Sequence, residues 1–179
     1  TCMTMGTAST MTAIAEVLGF TLPGASSVPA ADSAHGRMAR RCGTRIVDMI
    51  WDDLKPSDVL SRGSFENALV THMALAGSTN CMVHLVAMSR RAGLDIGLDD
   101  FDRVAAEIPV LANLRPSGTY LMEDFFYAGG LPGLLTRLSG RLDLSRECQH
   151  GHGPFVENYA LWCEGRGLEV ADAAERRRA

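Results

Sequence analysis

Glycine and proline cut this chain into segments of helical length, and between the cuts apolar residues recur every three or four positions. Ser9 or Thr10 can cap a helix over about residues 11–18, which Gly19 stops. Pro23, Gly24, Ser26, Ser27 and Pro29 mark a loop. A second helix is predicted over 33–51, with Met38, Cys42, Ile46, Met49 and Ile50 at helical spacing. Pro56 ends that stretch, and Ser57 or Asp58 can cap one further turn. Helices follow over about 64–75, 81–91 and 100–107, broken by Gly77, Gly93 and Pro109. Residues 81–91 are apolar almost all round and are expected to lie at the centre of the fold. Residues 110–114 suit one short strand, and 122–127 and 134–138 suit short helices. The fold class expected is mainly α, with at most one or two strands. No run reaches the ~18 apolar residues of a membrane span.

The chain has 179 residues, 46% of them hydrophobic and 21% charged, which suits one domain with a sizeable core. It carries 17 Lys and Arg against 21 Asp and Glu, a net charge of −4, which argues against a nucleic-acid surface. After about Leu144 the character changes. Residues 1–144 read as the folded part, and 145–179, with Gly151, Gly153, Pro154 and the run Arg176-Arg177-Arg178, as a poorly ordered tail. The five cysteines, Cys2, Cys42, Cys81, Cys148 and Cys163, are scattered, with no paired spacing. That pattern suits a reducing, cytoplasmic setting, and spacing alone makes each a small buried hydrophobe. Met3, Met5, Met73, Met82 and Met88 read as core packing.

Several blocks carry a more specific signal. The chain opens Thr1-Cys2-Met3-Thr4-Met5-Gly6-Thr7-Ala8-Ser9-Thr10-Met11 and continues with Ala15-Glu16-Val17-Leu18-Gly19 and Leu22-Pro23-Gly24-Ala25. Glu66-Asn67-Ala68, Gly77-Ser78-Thr79-Asn80, Leu98-Asp99-Asp100-Phe101, Asn113-Leu114-Arg115-Pro116-Ser117-Gly118, Met122-Glu123-Asp124 and Tyr127-Ala128-Gly129-Gly130-Leu131-Pro132 follow in order. Together they resemble the dihydroxy-acid, sugar-acid and phosphogluconate dehydratase family over about residues 1–140. The Thr-Cys-Met-Thr-Met-Gly-Thr and Leu-Pro-Gly-Ala forms look closer to its sugar-acid branch, of arabinonate or xylonate type.

The resemblance implies a hydro-lyase that turns a 2,3-dihydroxy acid, such as a sugar acid, into a 2-oxo-3-deoxy acid. It implies an iron–sulfur cluster, [2Fe-2S] or [4Fe-4S], together with Mg²⁺, and a homo-oligomeric enzyme acting on a small molecule. It implies the central-to-late part of an N-terminal α/β/α domain, without the C-terminal β-rich domain and without the catalytic base. Cys2 matches the last of three cluster cysteines, so it is the expected metal ligand. The other two, and the acidic Mg²⁺ ligands, are expected upstream of this stretch. Thr4, Thr7, Ser78 and Asn80 are candidates for an active-site wall, with helix capping as the alternative for each. His84, four positions after Asn80, reads as a core histidine, and Glu123 and Asp124 as a helix start. Two other readings remain: a branched-chain dihydroxy-acid dehydratase, and a non-catalytic helical binding module.

Overall fold

The computed structural model describes residues 2–143. Among them the chain forms eight α-helices: α1 Thr7–Val17, α2 Ser33–Trp51, α3 Pro56–Val59, α4 Arg62–Ala74, α5 Asn80–Arg91, α6 Leu98–Glu107, α7 Met122–Tyr127 and α8 Gly130–Arg137. The strand expected near residue 110 is reduced to a single bridge between Leu114 and Tyr120. The fold is thus mostly helical, as the residue pattern predicts. The tail beginning at 145, with Cys148 and Cys163, lies outside the described residues.

Helix starts follow local chemistry. Ser61 and Ser64 cap α4 reciprocally, each hydroxyl accepting the other's N–H at 3.2 and 2.9 Å. Asp100 accepts the Gly97 N–H at 3.0 Å at the start of α6, and Arg62 and Arg103 reach its other oxygen at 2.8 and 3.3 Å. The Gly97 bond, aided by the two guanidinium groups, holds the Asp100 carboxyl below its ordinary range. Asp124 accepts the Leu121 N–H at 2.8 Å, so the capping role expected of the acids opening α7 is met.

The centre of the fold is α4, where nine of thirteen residues are buried. Phe65 and Leu69 there, and Leu75 just past its end, share one core with Ile14 of α1, Leu18 that follows it and Phe101 of α6, all essentially inaccessible. This corrects the expectation for α5. Only Cys81, Leu85 and Ser89 of that helix are buried, and Val83 is 70% exposed. Counting apolar residues overstates burial here because α4 already fills the middle, leaving α5 one flank to pack. His84 is exposed, so it is not the core histidine expected. That part belongs to His72. Met5 is buried as expected, whereas Met3 is 45% exposed.

Glu16 is the most costly polar group to bury. It is completely inaccessible on α1, and its two oxygens accept the N–H groups of Gly24 and Ser26 at 2.7 and 2.8 Å. A carboxylate with both oxygens hydrogen-bonded tolerates such burial. Gly24 sits at φ 80°, a conformation that glycine adopts without strain, and this turns its N–H inward. Asn67 makes a similar clamp: its amide donates to the Asp143 carbonyl and accepts the Asp143 N–H, both at 2.8 Å.

Candidate functional site

The expected site residues gather where the chain enters α1 and α5. Residues 2–6 form a bent loop, with the Gly6 N–H turned back onto the Thr4 carbonyl at 2.9 Å. The Met5 N–H donates to the Arg115 carbonyl at 2.7 Å, and the Met122 N–H to the Met3 carbonyl at 2.9 Å. Ser9 folds back from α1, its hydroxyl donating to the Thr4 carbonyl at 2.8 Å. Ser9 is therefore spent on the preceding loop rather than on capping, which is why α1 begins at Thr7 and not near residue 11.

Cys2 is exposed at the end of this loop, its sulfur 4.0 Å from the Thr4 hydroxyl. Hydrogen bonding from the Thr4 backbone, and next from the Thr4 side chain, lowers its thiol below the ordinary cysteine value. Burial pushes the Cys81 thiol the other way, as suits a packing residue. Exposure and a lowered thiol pKa are what metal ligation or nucleophilic attack by a cysteine requires.

Thr7, Ser78 and Asn80 meet although they are some seventy residues apart in sequence. The Thr7 and Ser78 hydroxyls lie 3.1 Å apart, and the Asn80 amide donates to the Thr7 hydroxyl at 2.9 Å. The Ser78 N–H donates to the Thr10 hydroxyl at 3.1 Å, and that hydroxyl donates to the Gly6 carbonyl at 2.8 Å. The N-termini of α1 and α5 are thereby joined, and each brings the positive end of a helix dipole. Such a corner favours an anion. Thr4 belongs instead to the Cys2 and Ser9 group on the same loop.

His72 of α4 holds this corner from beneath. Its Nε2 donates to the Ser78 carbonyl at 3.0 Å, its Nδ1 has no partner, and its ring meets Phe101 edge-on at 5.9 Å. Gly77 must be glycine for this packing, since a Cβ there would stand 2.7 Å from both His72 Cδ2 and Thr10 Cγ2. Burial lowers the His72 pKa, so the folded chain keeps the ring neutral. The unfolded chain takes up a proton as pH falls below about 6.5, which draws the equilibrium toward unfolding. Stability should therefore decline between about pH 7.5 and 5.5, and His72→Gln should flatten that part of the profile, read as the urea midpoint against pH. An unchanged slope in His72→Gln would place the proton uptake on another group.

Among the described residues no group of three or more His, Cys, Asp or Glu is placed to hold a metal ion. A cavity of about 980 Å³ lies elsewhere, bordered by Asn113, Tyr120, Asp124, Tyr127 and Arg137. No described helix is long and apolar enough to cross a membrane.

A family model described as dihydroxy-acid/6-phosphogluconate dehydratase N-terminal matches residues 1–158. The chain is similar to the 6-deoxy-6-sulfo-D-gluconate dehydratase of Pseudomonas putida, with 54% identity over 86% of this chain and 26% of that protein. It is 50% identical to the D-xylonate dehydratase of Caulobacter vibrioides, over 96% of this chain and 28% of the other. Against the dihydroxy-acid dehydratase of Prochlorococcus marinus identity falls to 38%, over 89% and 29%. The chain thus spans about a quarter to three-tenths of the length of these curated relatives.

Proposed function

Because the chain belongs to the dihydroxy-acid/6-phosphogluconate dehydratase family, we propose that it is one portion of a larger hydro-lyase that dehydrates a sugar acid to its 2-oxo-3-deoxy acid. The observation that supports this reading is the exposed Cys2 thiol on a loop that Ser9 ties to the first turn of α1, the helix whose start meets that of α5. The higher identity to the xylonate and sulfogluconate enzymes favours a sugar acid over a branched-chain dihydroxy acid.

The reaction removes a proton from C2 and hydroxide from C3, and the enol left behind tautomerises to the 2-oxo acid. The C2 proton is weakly acidic, so a base must stand against it. Neither the described residues nor the resemblance supplies that base from this stretch. What the chain offers is positioning. The donors around Thr7, Ser78 and Asn80 suit the carboxylate or hydroxyls of a sugar acid, whose charge the two helix ends favour.

An iron–sulfur cluster fits one corner of the site. Cys2 is exposed, biased toward thiolate and held on a loop braced by Thr4 and Ser9, which is the donor that cluster iron requires. Such a cluster, when bound, would supply Lewis-acid chemistry to the departing hydroxyl. Cys2 is the residue of this chain that would hold it. The described residues do not fit Mg²⁺ in the same way, since they place no set of carboxylates together. No step is assigned to that ion here.

The complete enzyme carrying this segment should turn over D-xylonate, L-arabinonate or 6-deoxy-6-sulfogluconate, with the 2-oxo product measured directly. Turnover of 2,3-dihydroxyisovalerate alone would reverse the choice of substrate. Asn80→Ala in that enzyme should lower kcat/KM about tenfold, the loss of one well-placed donor. Its thermal midpoint should hold, because Asn80 is exposed. An unchanged kcat/KM would leave Asn80 a helix-start residue only.

A further inference from the structure

Ser78 is held at both ends of its backbone. Its N–H donates to the Thr10 hydroxyl at 3.1 Å, and its carbonyl accepts the His72 Nε2–H at 3.0 Å. Thr10 is inaccessible on α1, and His72 is 3% exposed on α4. Two helices thus reach from beneath to fix one residue of the turn between α4 and α5. The groups that Ser78 gathers lie at the surface. Its hydroxyl meets Thr7 at 3.1 Å and accepts the Asn80 N–H at 3.4 Å; Thr7 is half-buried and Asn80 exposed.

Helix α5 can form without His72. The Ser78 carbonyl already accepts the Cys81 N–H at 2.9 Å, the first backbone bond of that helix. Histidine is also a poor residue to bury here. Its Nδ1 meets no partner among the described residues, and an apolar side chain of the same length would avoid that loss. A buried residue chosen against stability is expected where a site needs it.

What the two bonds add is position. Only Cys81, Leu85 and Ser89 of α5 are buried, so packing holds that helix along a single flank. Its start is set by Ser78, and Ser78 by Thr10 and His72. Thr7 lies one turn before Thr10, so one face of α1 takes Ser78 both by its N–H and by its hydroxyl. The Thr10 hydroxyl in turn donates to the Gly6 carbonyl, which ties the arrangement to the start of α1.

We propose that His72 and Thr10 are positioning residues for the sugar-acid site, acting through the Ser78 backbone to hold Ser78 and Asn80 against Thr7. The assignment rests on the sugar-acid reading of this corner. Neither side chain touches substrate. Without them the start of α5 is free to shift, and the donors that meet a substrate carboxylate or hydroxyl lose their register. These donors transfer no proton, so the loss falls on KM and leaves kcat nearly as it was.

Steady-state kinetics of the complete enzyme on D-xylonate, L-arabinonate and 6-deoxy-6-sulfogluconate test this, with circular dichroism as the check on folding. On the acid turned over fastest, His72→Met should raise KM about tenfold and keep kcat within about twofold. His72→Gln, which returns an N–H to the ε position, should recover most of that loss. Thr10→Val cannot accept the Ser78 N–H and should behave like His72→Met. Coupling is the readout that mere support of the fold would not move. Added to Asn80→Ala, His72→Met should lower kcat/KM by less than about a further twofold, whereas independent effects would multiply to about a hundredfold. The proposal falls if either variant, folded, keeps the wild-type KM. It falls if His72→Gln binds as weakly as His72→Met, or if the two losses multiply. It falls also if neither His72→Met nor Thr10→Val folds, since the bonds then serve the fold alone. A complete enzyme inactive on all three acids would instead sink the reading of the corner, and the proposal with it.

Discussion

Glu16→Ala should destabilise the fold by about 3–5 kcal/mol, with a fall in the thermal midpoint of about 10 °C. The carboxylate is inaccessible, and both oxygens are engaged by the N–H groups of Gly24 and Ser26. Truncation leaves both donors buried without a partner, and each costs on the order of 1–3 kcal/mol. The loop they belong to is also a roof. Val28 is 1% exposed, and Ser27 accepts the Leu131 N–H at 2.9 Å, so loosening the loop frees α8 as well. Glu16→Gln keeps one acceptor and should fall between the two. A Glu16→Ala chain melting within about 2 °C of wild type would show that the loop is held by its apolar contacts instead.

The second large effect concerns Cys2. In the proposed enzyme Cys2→Ser should lower the rate of dehydration about a thousandfold or more, because the Lewis acid it helps hold is worth several kcal/mol to the departing hydroxyl. The fold should survive, since Cys2 is exposed and its sulfur lies a loose 4.0 Å from the Thr4 hydroxyl. One part of this can be read without any cofactor. In the 179-residue chain the Cys2 thiol should be alkylated at lower pH than a free cysteine. Thr4→Val should move that profile back only in part, because the Thr4 backbone, the larger cause, remains. A Cys2 profile like that of free cysteine would remove the local reason for calling it a poised ligand.

Local chemistry was legible where neighbours in sequence decide the outcome. The starts of α2 and α7 follow from Asp32 and from Asp124, and the end of α6 from Pro109, each acting within a few residues. Errors arise where distant residues decide. Ser9 looks like a helix cap, but Thr4 claims its hydroxyl. The start of α8 at Gly130 is hidden because Gly129 and Gly130, at φ 112° and 61°, look like a break and in fact make the turn into the helix. For α5, apolar content says that neighbours exist without saying on which side. The histidines show the same limit: His84 shares a helical face with Asn80, yet it is His72 that α4 carries into the core.

The site divides likewise. Cys2, Thr4, Thr7, Ser78 and Asn80 were recognisable from their motifs. That Thr7 touches Ser78 and Asn80 depends on α1 and α5 converging end to end, which no local pattern encodes. Asn67 carries the reverse lesson. It sits in a block shared with the family, and its work here is to clamp Asp143.

The central claim is that the thiolate of Cys2 is one grip on an iron–sulfur cluster in a sugar-acid dehydratase. Its most direct measurement is the iron and acid-labile sulfide bound by the complete enzyme prepared without air, compared with its Cys2→Ala variant. The account predicts both elements in the parent, and their near-complete loss in a variant whose circular dichroism is unchanged. A colourless parent that dehydrates its sugar acid at full rate, or a Cys2→Ala variant that keeps its iron and sulfide, would contradict it.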